Sequence, residues 1–186
     1  MSDSLSGQLL IAMPGLKDPR FQKSVILICE FSKTSIMGLI LNKELNNLKL
    51  NNLLKKINIS KIDKLKNNLV YNGGPVHQGQ GFILHTNDIT YNTTEKIFND
   101  VCITTSIEIL QDLALNKGPE SMKVFLGCSV WDYEQFHREM LENSWLTINA
   151  SEELIFLNES KDNLWKKCLL KLGIKVENLT TSFGHA

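Results

Sequence analysis

Hydrophobic positions in the first forty residues fall in short unbroken runs, without helical spacing. "QLLIAM" (8–13), "SVILICEF" (24–31) and "SIMGLILN" (35–42) are rich in Ile, Leu and Val, a pattern that predicts strands. Because these runs do not alternate with polar residues, both faces of the strands must be covered, and helices must pack over the sheet. The polar link "SKT" between the second and third runs predicts a hairpin. Asp18-Pro19 breaks the chain between the first two, since proline lacks an N–H and restricts the residue before it.

Helical spacing takes over further along. Leu50, Leu53, Leu54 and Ile57 recur at i, i+3, i+4 and i+7, one face of a short helix. Ser106 is placed to cap a helix that buries Leu110 and Leu113 and stops at "NKGP", with Gly118 as its C-cap and Pro119 beyond. In "WDYEQFHREMLEN", Asp132 caps, Gln135 stands three residues on, and Trp131 and Phe136 occupy hydrophobic-staple positions. Ser160 opens a last helix with Leu164, Trp165, Cys168, Leu169 and Leu172 on one face. Gly173 ends it, and Ile174 folds back onto Leu169. Strands first and helices later predict an α+β domain. We expect one domain over residues 1–186, with 1–7 and 179–186 as flexible ends and the asparagine-rich stretch 42–68 as a helix with loose polar flanks.

Composition narrows the function. A chain of 186 residues with 42% hydrophobic content buries roughly 70% of its unfolded surface. Lys plus Arg equals Asp plus Glu at 20 each, so the chain lacks the basic footprint of a dedicated nucleic-acid binder. No apolar run reaches the ~20 residues of a membrane span, and no export signal opens the chain, which predicts a cytoplasmic protein. The four cysteines, at 29, 102, 128 and 168, form no CxxC pair and are expected as free, buried small hydrophobes.

The stretch "YNGGPVHQGQGFILH" (71–85) concentrates glycine and histidine. It fails as a P-loop, because no Lys-Ser or Lys-Thr follows the glycines, and as GxGxxG, because a strand-like "GFILH" stands where a helix should begin. It reads as a turn with a strand behind it. No HxxxH, HxH or CxxC places two metal ligands on one face, so no metal site is expected. "GCSVW" (127–131) resembles GxSxG, with Trp131 in place of the last glycine. Cys128 there is a candidate nucleophile before a helix start, with His137 one helix away; a core cysteine is the stronger reading.

"LIAMPGLKDPRFQKSVILICEF", "MGLILNK", "YNGGPVHQGQGFILH", the "TTS" of 104–106, "NSWLT" and the closing "GHA" fall in the order of one bacterial family. The chain resembles the YqgE/AlgH family from about residue 8 to its end. Ala12, Met13, Pro14, Gly15, Asp18, Pro19 and Phe21 match the first motif; Gly73, Gly74, Pro75, Val76, Gly81, Phe82 and His85 match the second. Thr104, Thr105 and Ser106 match the third, and Gly184, His185 and Ala186 the tail. Relatives read like "GYAGWG" where this chain has "GCSVWD" (127–132), so two later glycines are lost and Trp131 is kept. The resemblance implies one α+β domain with coiled, partly barrel-like sheets flanked by helices. It implies no particular reaction; members are labelled as transcriptional regulators.

These readings predict a non-enzymatic cytoplasmic protein that binds an unknown small molecule or protein partner and acts indirectly on gene expression. No cofactor, direct nucleic-acid contact or membrane contact is expected, and the oligomeric state is left open. The site is expected at the loops between strands, with Pro14, Gly15, Asp18, Arg20, Gly73, Gly74 and His85 as its residues and Arg20 as an anion contact. The alternative is a redox or hydrolytic enzyme using Cys128 or His85; a direct DNA-binding regulator is disfavoured.

Overall fold

The computed structural model describes residues 4–59, 69–157 and 160–180. In chain order they form β1 (Gln8–Ala12), a single 3-10 turn (Pro19–Phe21), β2 (Val25–Phe31), β3 (Ser35–Ile40), β4 (Glu44–Lys49), α1 (Leu50–Lys56), β5 (Leu69–Asn72), β6 (Val76–Thr86), β7 (Glu95–Phe98), β8 (Val101–Thr104), α2 (Glu108–Ala114), β9 (Met122–Asp132), α3 (Tyr133–Leu141), β10 (Trp145–Asn149), α4 (Glu152–Phe156), α5 (Lys161–Lys171) and α6 (Val176–Thr180). The strands join into one curled sheet of order β10-β1-β2-β3-β9-β6-β8-β7, with β4 paired to β5 and β5 to β9. All pairings are antiparallel except β5 with β9. This is the expected α+β class, with a sheet curled part-way into a barrel.

Alternation along each strand divides the core by face. Leu9, Ile11, Val25, Leu27, Leu39, Phe125 and Leu84 point to the concave side, where α4 and α5 close over them with Leu154, Ile155, Leu164, Trp165 and Leu169. Leu10, Ile26, Ile28 and Ile40 point to the other face, onto Phe21, Phe136, Trp131 and Trp145. A third cluster seats α1 and α2 through Leu50, Leu54, Ile109 and Leu110 on Val70, Ile83 and Val124. The unbroken apolar runs of β1 and β2 therefore have the predicted cause: both faces are covered. Each fully buried Leu or Ile contributes roughly 1.5–3 kcal/mol.

The expected hairpin forms between β2 and β3, where the Ser32 amide and hydroxyl both donate to the Ser35 carbonyl, at 3.0 and 2.8 Å. Asp132 caps α3 by accepting the Gln135 N–H at 2.7 Å, and Trp131 and Phe136 meet edge-to-face with centroids 6.1 Å apart. α5 ends as predicted, with Gly173 at φ +73° and the Ile174 N–H on the Leu169 carbonyl at 3.0 Å.

Four expectations need correcting. Helices do not simply follow strands: β9 and β10 lie between helices in the second half, because a buried 11-residue strand and a helix share the apolar signal when periodicity is short. α2 stops at Ala114, before Gly118. Asn116 takes the left-handed position at φ +55°, and the Lys117 N–H closes onto Asp112 at 2.8 Å, since Asn tolerates that conformation and comes first. Leu172 is 38% exposed because it is the C-cap, where the chain already leaves the helical face. In 42–68, residues Glu44–Lys49 are a strand held by pairing with β5. Residues 1–3, 60–68 and 181–186, including the motif "GHA", lie outside the described residues.

Candidate functional site

The turn after β5 does something specific. β5 and β6 flank the same stretch of β9 on opposite sides, Val70–Asn72 running parallel and Gly81–His85 antiparallel to it. The link between them must therefore cross β9, and it does so at Gly127. A Cβ at Gly73 would stand 2.2 Å from the Gly127 carbonyl oxygen, and one at Gly74 2.3 Å from the Cys128 carbonyl. Gly127, at φ +73°, has the Gly74 oxygen 2.6 Å from its own missing Cβ position. Backbone packs on backbone, which only glycine permits. The polar groups here are used inside the fold. The Gly73 N–H donates to Leu126 at 2.9 Å, and its carbonyl accepts from the Ile40 N–H at 3.0 Å and the Ser129 hydroxyl at 3.2 Å. Gly79 and Gly81 keep ordinary backbone angles, and the left-handed residue after the turn is His77, at φ +50°.

The Asp18–Arg20 loop comes close to this crossing through Lys43. Arg20 is committed to Asp18: its Nε lies 3.1 Å from both carboxylate oxygens and its Nη2 2.7 Å from Oδ2. The pairing holds the Asp18 carboxyl below the usual range. The Lys43 ammonium donates to the Arg20 carbonyl, while the Lys43 carbonyl accepts the Asn72 N–H at 2.7 Å. Beside Lys43 opens a groove of about 410 Å³, lined by Asn42, Lys43, Glu44, Leu45 and Asn46 of the β3–β4 segment, by Asn72, and by Ser160 and Lys161 at the start of α5. Burial and the nearby Lys161 charge push the Lys43 ammonium down to about 8.

Asn42 holds this groove together. Its carboxamide is 3% exposed; Oδ1 accepts the Val25 N–H, and Nδ2 donates to the Lys23 and Lys161 carbonyls, each at 2.9 Å. One side chain thus fixes the first residue of α5 against the end of β3.

The AlgH-like family model matches residues 9–177. The chain belongs to the AlgH-like family. It is 38% identical to a UPF0301 protein of Photorhabdus laumondii over 187 residues, covering 98% of this chain and all of the relative. It is 41% identical to a UPF0301 protein of Vibrio cholerae over 189 residues, with the same coverage. The solution structure of the AlgH protein from Pseudomonas aeruginosa superposes with a TM-score of 0.79 at 30% identity, covering 100% of this chain and 98% of that one. A Corynebacterium diphtheriae protein, DIP2367, shares the fold at a TM-score of 0.73 and 18% identity, over 91% of this chain and 88% of its own.

In this AlgH-like chain the sequence-chosen residues do not gather in one place. Pro14 and Gly15 form an exposed turn tied to Ser144 through the Met13 N–H, 3.0 Å from its carbonyl. Asp18 and Arg20 stand at the edge of the groove through Lys43. Gly73 and Gly74 are buried in the crossing beside Asn72. His85 is wholly buried on β6, with Nδ1 2.8 Å from the Thr86 carbonyl and Tyr91 edge-on at 6.1 Å. Burial pushes its imidazole below the ordinary range, and Nε2 has no hydrogen-bond partner.

All four cysteines are free and buried. Cys128 lies within β9 and not at a helix start, and burial raises its thiol, the opposite of what a nucleophile requires. Among the described residues, no three of His, Cys, Asp and Glu gather as metal ligands, and no helix is long and apolar enough to cross a membrane.

Sequence reasoning passed over Lys43, Asn46, Asn72 and Lys161. The signal for the first was present: "MGLILNK" ends on Asn42 and Lys43, and "YNGG" carries Asn72. Nothing local links them to Lys161, more than a hundred residues later.

Proposed function

We propose that the protein is a non-enzymatic, cytoplasmic binding protein that takes a small molecule or a protein partner in the Lys43 groove and acts indirectly on gene expression. The observation that carries this reading is the convergence of three distant segments, the β3–β4 junction, Asn72 and the start of α5, on one groove braced by the buried Asn42 carboxamide. Preorganised polar groups in a concavity are what a binding site requires. Direct DNA binding has no comparable support, since the formal net charge is zero.

Native mass spectrometry of protein purified gently from its own cytosol tests the proposal. The expected result is an added mass that survives desalting and is lost on denaturation, or a partner recovered by crosslinking at Lys43 or Lys161. A bare mass together with no crosslink through these residues would overturn it.

A further inference from the structure

Building on the groove as the binding site, we infer that it recognises a ligand through a dianionic oxyanion group, a phosphate first of all, seated between the ammonium groups of Lys43 and Lys161. The donors in the groove outnumber its acceptors. Lys161 makes no ion pair among the described residues. Lys43 gives one proton to the Arg20 carbonyl and has two left. Asn72 Oδ1 accepts the Gly74 N–H at 3.1 Å, which fixes the amide so that its Nδ2 remains free to donate. Against these stand the Glu44 carboxylate and the Ser160 hydroxyl in the lining, while the nearby Asp18 and Asp162 carboxylates are paired with Arg20 and Lys23.

The backbones that carry the two lysines are held together by construction. Asn42 bonds the Lys161 carbonyl and is the chain neighbour of Lys43, so neither backbone can drift away to relieve the repulsion. Like charges brought close together are unfavourable, and the neighbouring Asp18 and Asp162 are already paired with Arg20 and Lys23; a doubly charged oxyanion between the ammonium groups removes that repulsion and accepts both sets of protons. The asparagine nitrogens of residues 46 and 72 suit the remaining phosphate oxygens. A dicarboxylate offers the same charge with two separated groups, and the test distinguishes the two.

Full-length 15N-labelled protein is titrated with inorganic phosphate, and separately with succinate, at constant ionic strength. We expect saturable shifts confined to Asn42–Asn46, Asn72 and Lys161, with phosphate binding more tightly than succinate. Lys43→Gln and Lys161→Gln should each weaken phosphate about tenfold, while Lys96→Gln, on β7, leaves it unchanged. The thermal midpoint of each variant shows that it is folded. Tighter succinate would reassign the group to a dicarboxylate and overturn the phosphate assignment. Non-saturating shifts, or equal losses in all three variants, would overturn the oxyanion inference altogether. If an added mass seen by native mass spectrometry stays on the Lys43→Gln/Lys161→Gln double variant, the groove reading survives and only this inference falls. If wild-type protein shows neither the mass nor saturation, both fall.

Discussion

Gly73 and Gly127 stand so close that a Cβ on the first would lie 2.2 Å from the carbonyl oxygen of the second. This contact is where the β5–β6 link crosses β9, and neither strand can move without breaking its ladder. Gly73→Ala should therefore destabilise the protein by about 3 kcal/mol or more, above the usual range for overpacking because both partners are backbone. Gly127→Ala meets the Gly74 oxygen and adds the roughly 1–2 kcal/mol penalty of a left-handed alanine. Urea unfolding of both variants checks this. Gly79→Ala is the comparison, because nothing stands within 4 Å of its Cβ position; a loss of similar size there would defeat the explanation.

Glu139 joins the two tryptophans of the outer cluster. Its Oε2 accepts the indole N–H of Trp131 at 3.1 Å and of Trp145 at 2.8 Å, and Oε1 accepts from Gln135 Nε2 at 2.9 Å. Both indoles are 2% exposed, so no water can replace the acceptor. Glu139→Ala should cost about 1–3 kcal/mol for each orphaned N–H. Glu139→Gln, which keeps one acceptor oxygen, should cost less. Tryptophan-fluorescence denaturation curves read both effects; equal stability of the two variants would show that the indoles find other partners.

The cysteines provide a direct check on the enzyme alternative. Burial raises the thiols of Cys29, Cys102 and Cys128, and reactivity follows the thiolate. Native protein at neutral pH should take up iodoacetamide at none of these three sites, and unfolded protein at all of them. Rapid native labelling of Cys128 would reopen a thiol-based chemistry.

His85 should make the fold acid-sensitive. Its folded imidazole titrates below the unfolded value of about 6.5. Its neutral form is the one the fold accepts, because Nδ1–H is spent on the Thr86 carbonyl and Nε2 is buried without a partner. Above pH ~6.5 both states are neutral there and stability is full. As pH falls below that value the unfolded chain takes a proton that the folded chain refuses, so stability drops by up to about 1.4 kcal/mol per pH unit until the folded imidazole titrates in turn. The carboxyls of Asp18, Asp88 and Asp162, held low in the fold, add to the loss only nearer pH 4. Urea midpoints at pH 7 and pH 5 should therefore differ more for the wild type than for His85→Phe. Parallel pH dependences would remove His85 as the cause.

What the sequence by itself determined is local. Apolar runs without alternation marked β1, β2 and β3 because each strand is covered twice. The N-cap of α3 and the closing turn of α5 were legible because each is a contact between residues three to five apart. The motifs "MPGL…DPRF" and "NGGPV" sufficed to place the chain in its family. Only the tertiary structure decided what those motifs do. The glycines of "NGGPV" exist for Gly127, more than fifty residues away, and that need arises from two strands lying on opposite sides of a third. Lys43 and Lys161 share a groove because the Asn42 carboxamide reaches across the fold. Their proximity depends on sheet curvature and helix docking, which are set by the sum of many packing contacts and which no local pattern of residues records.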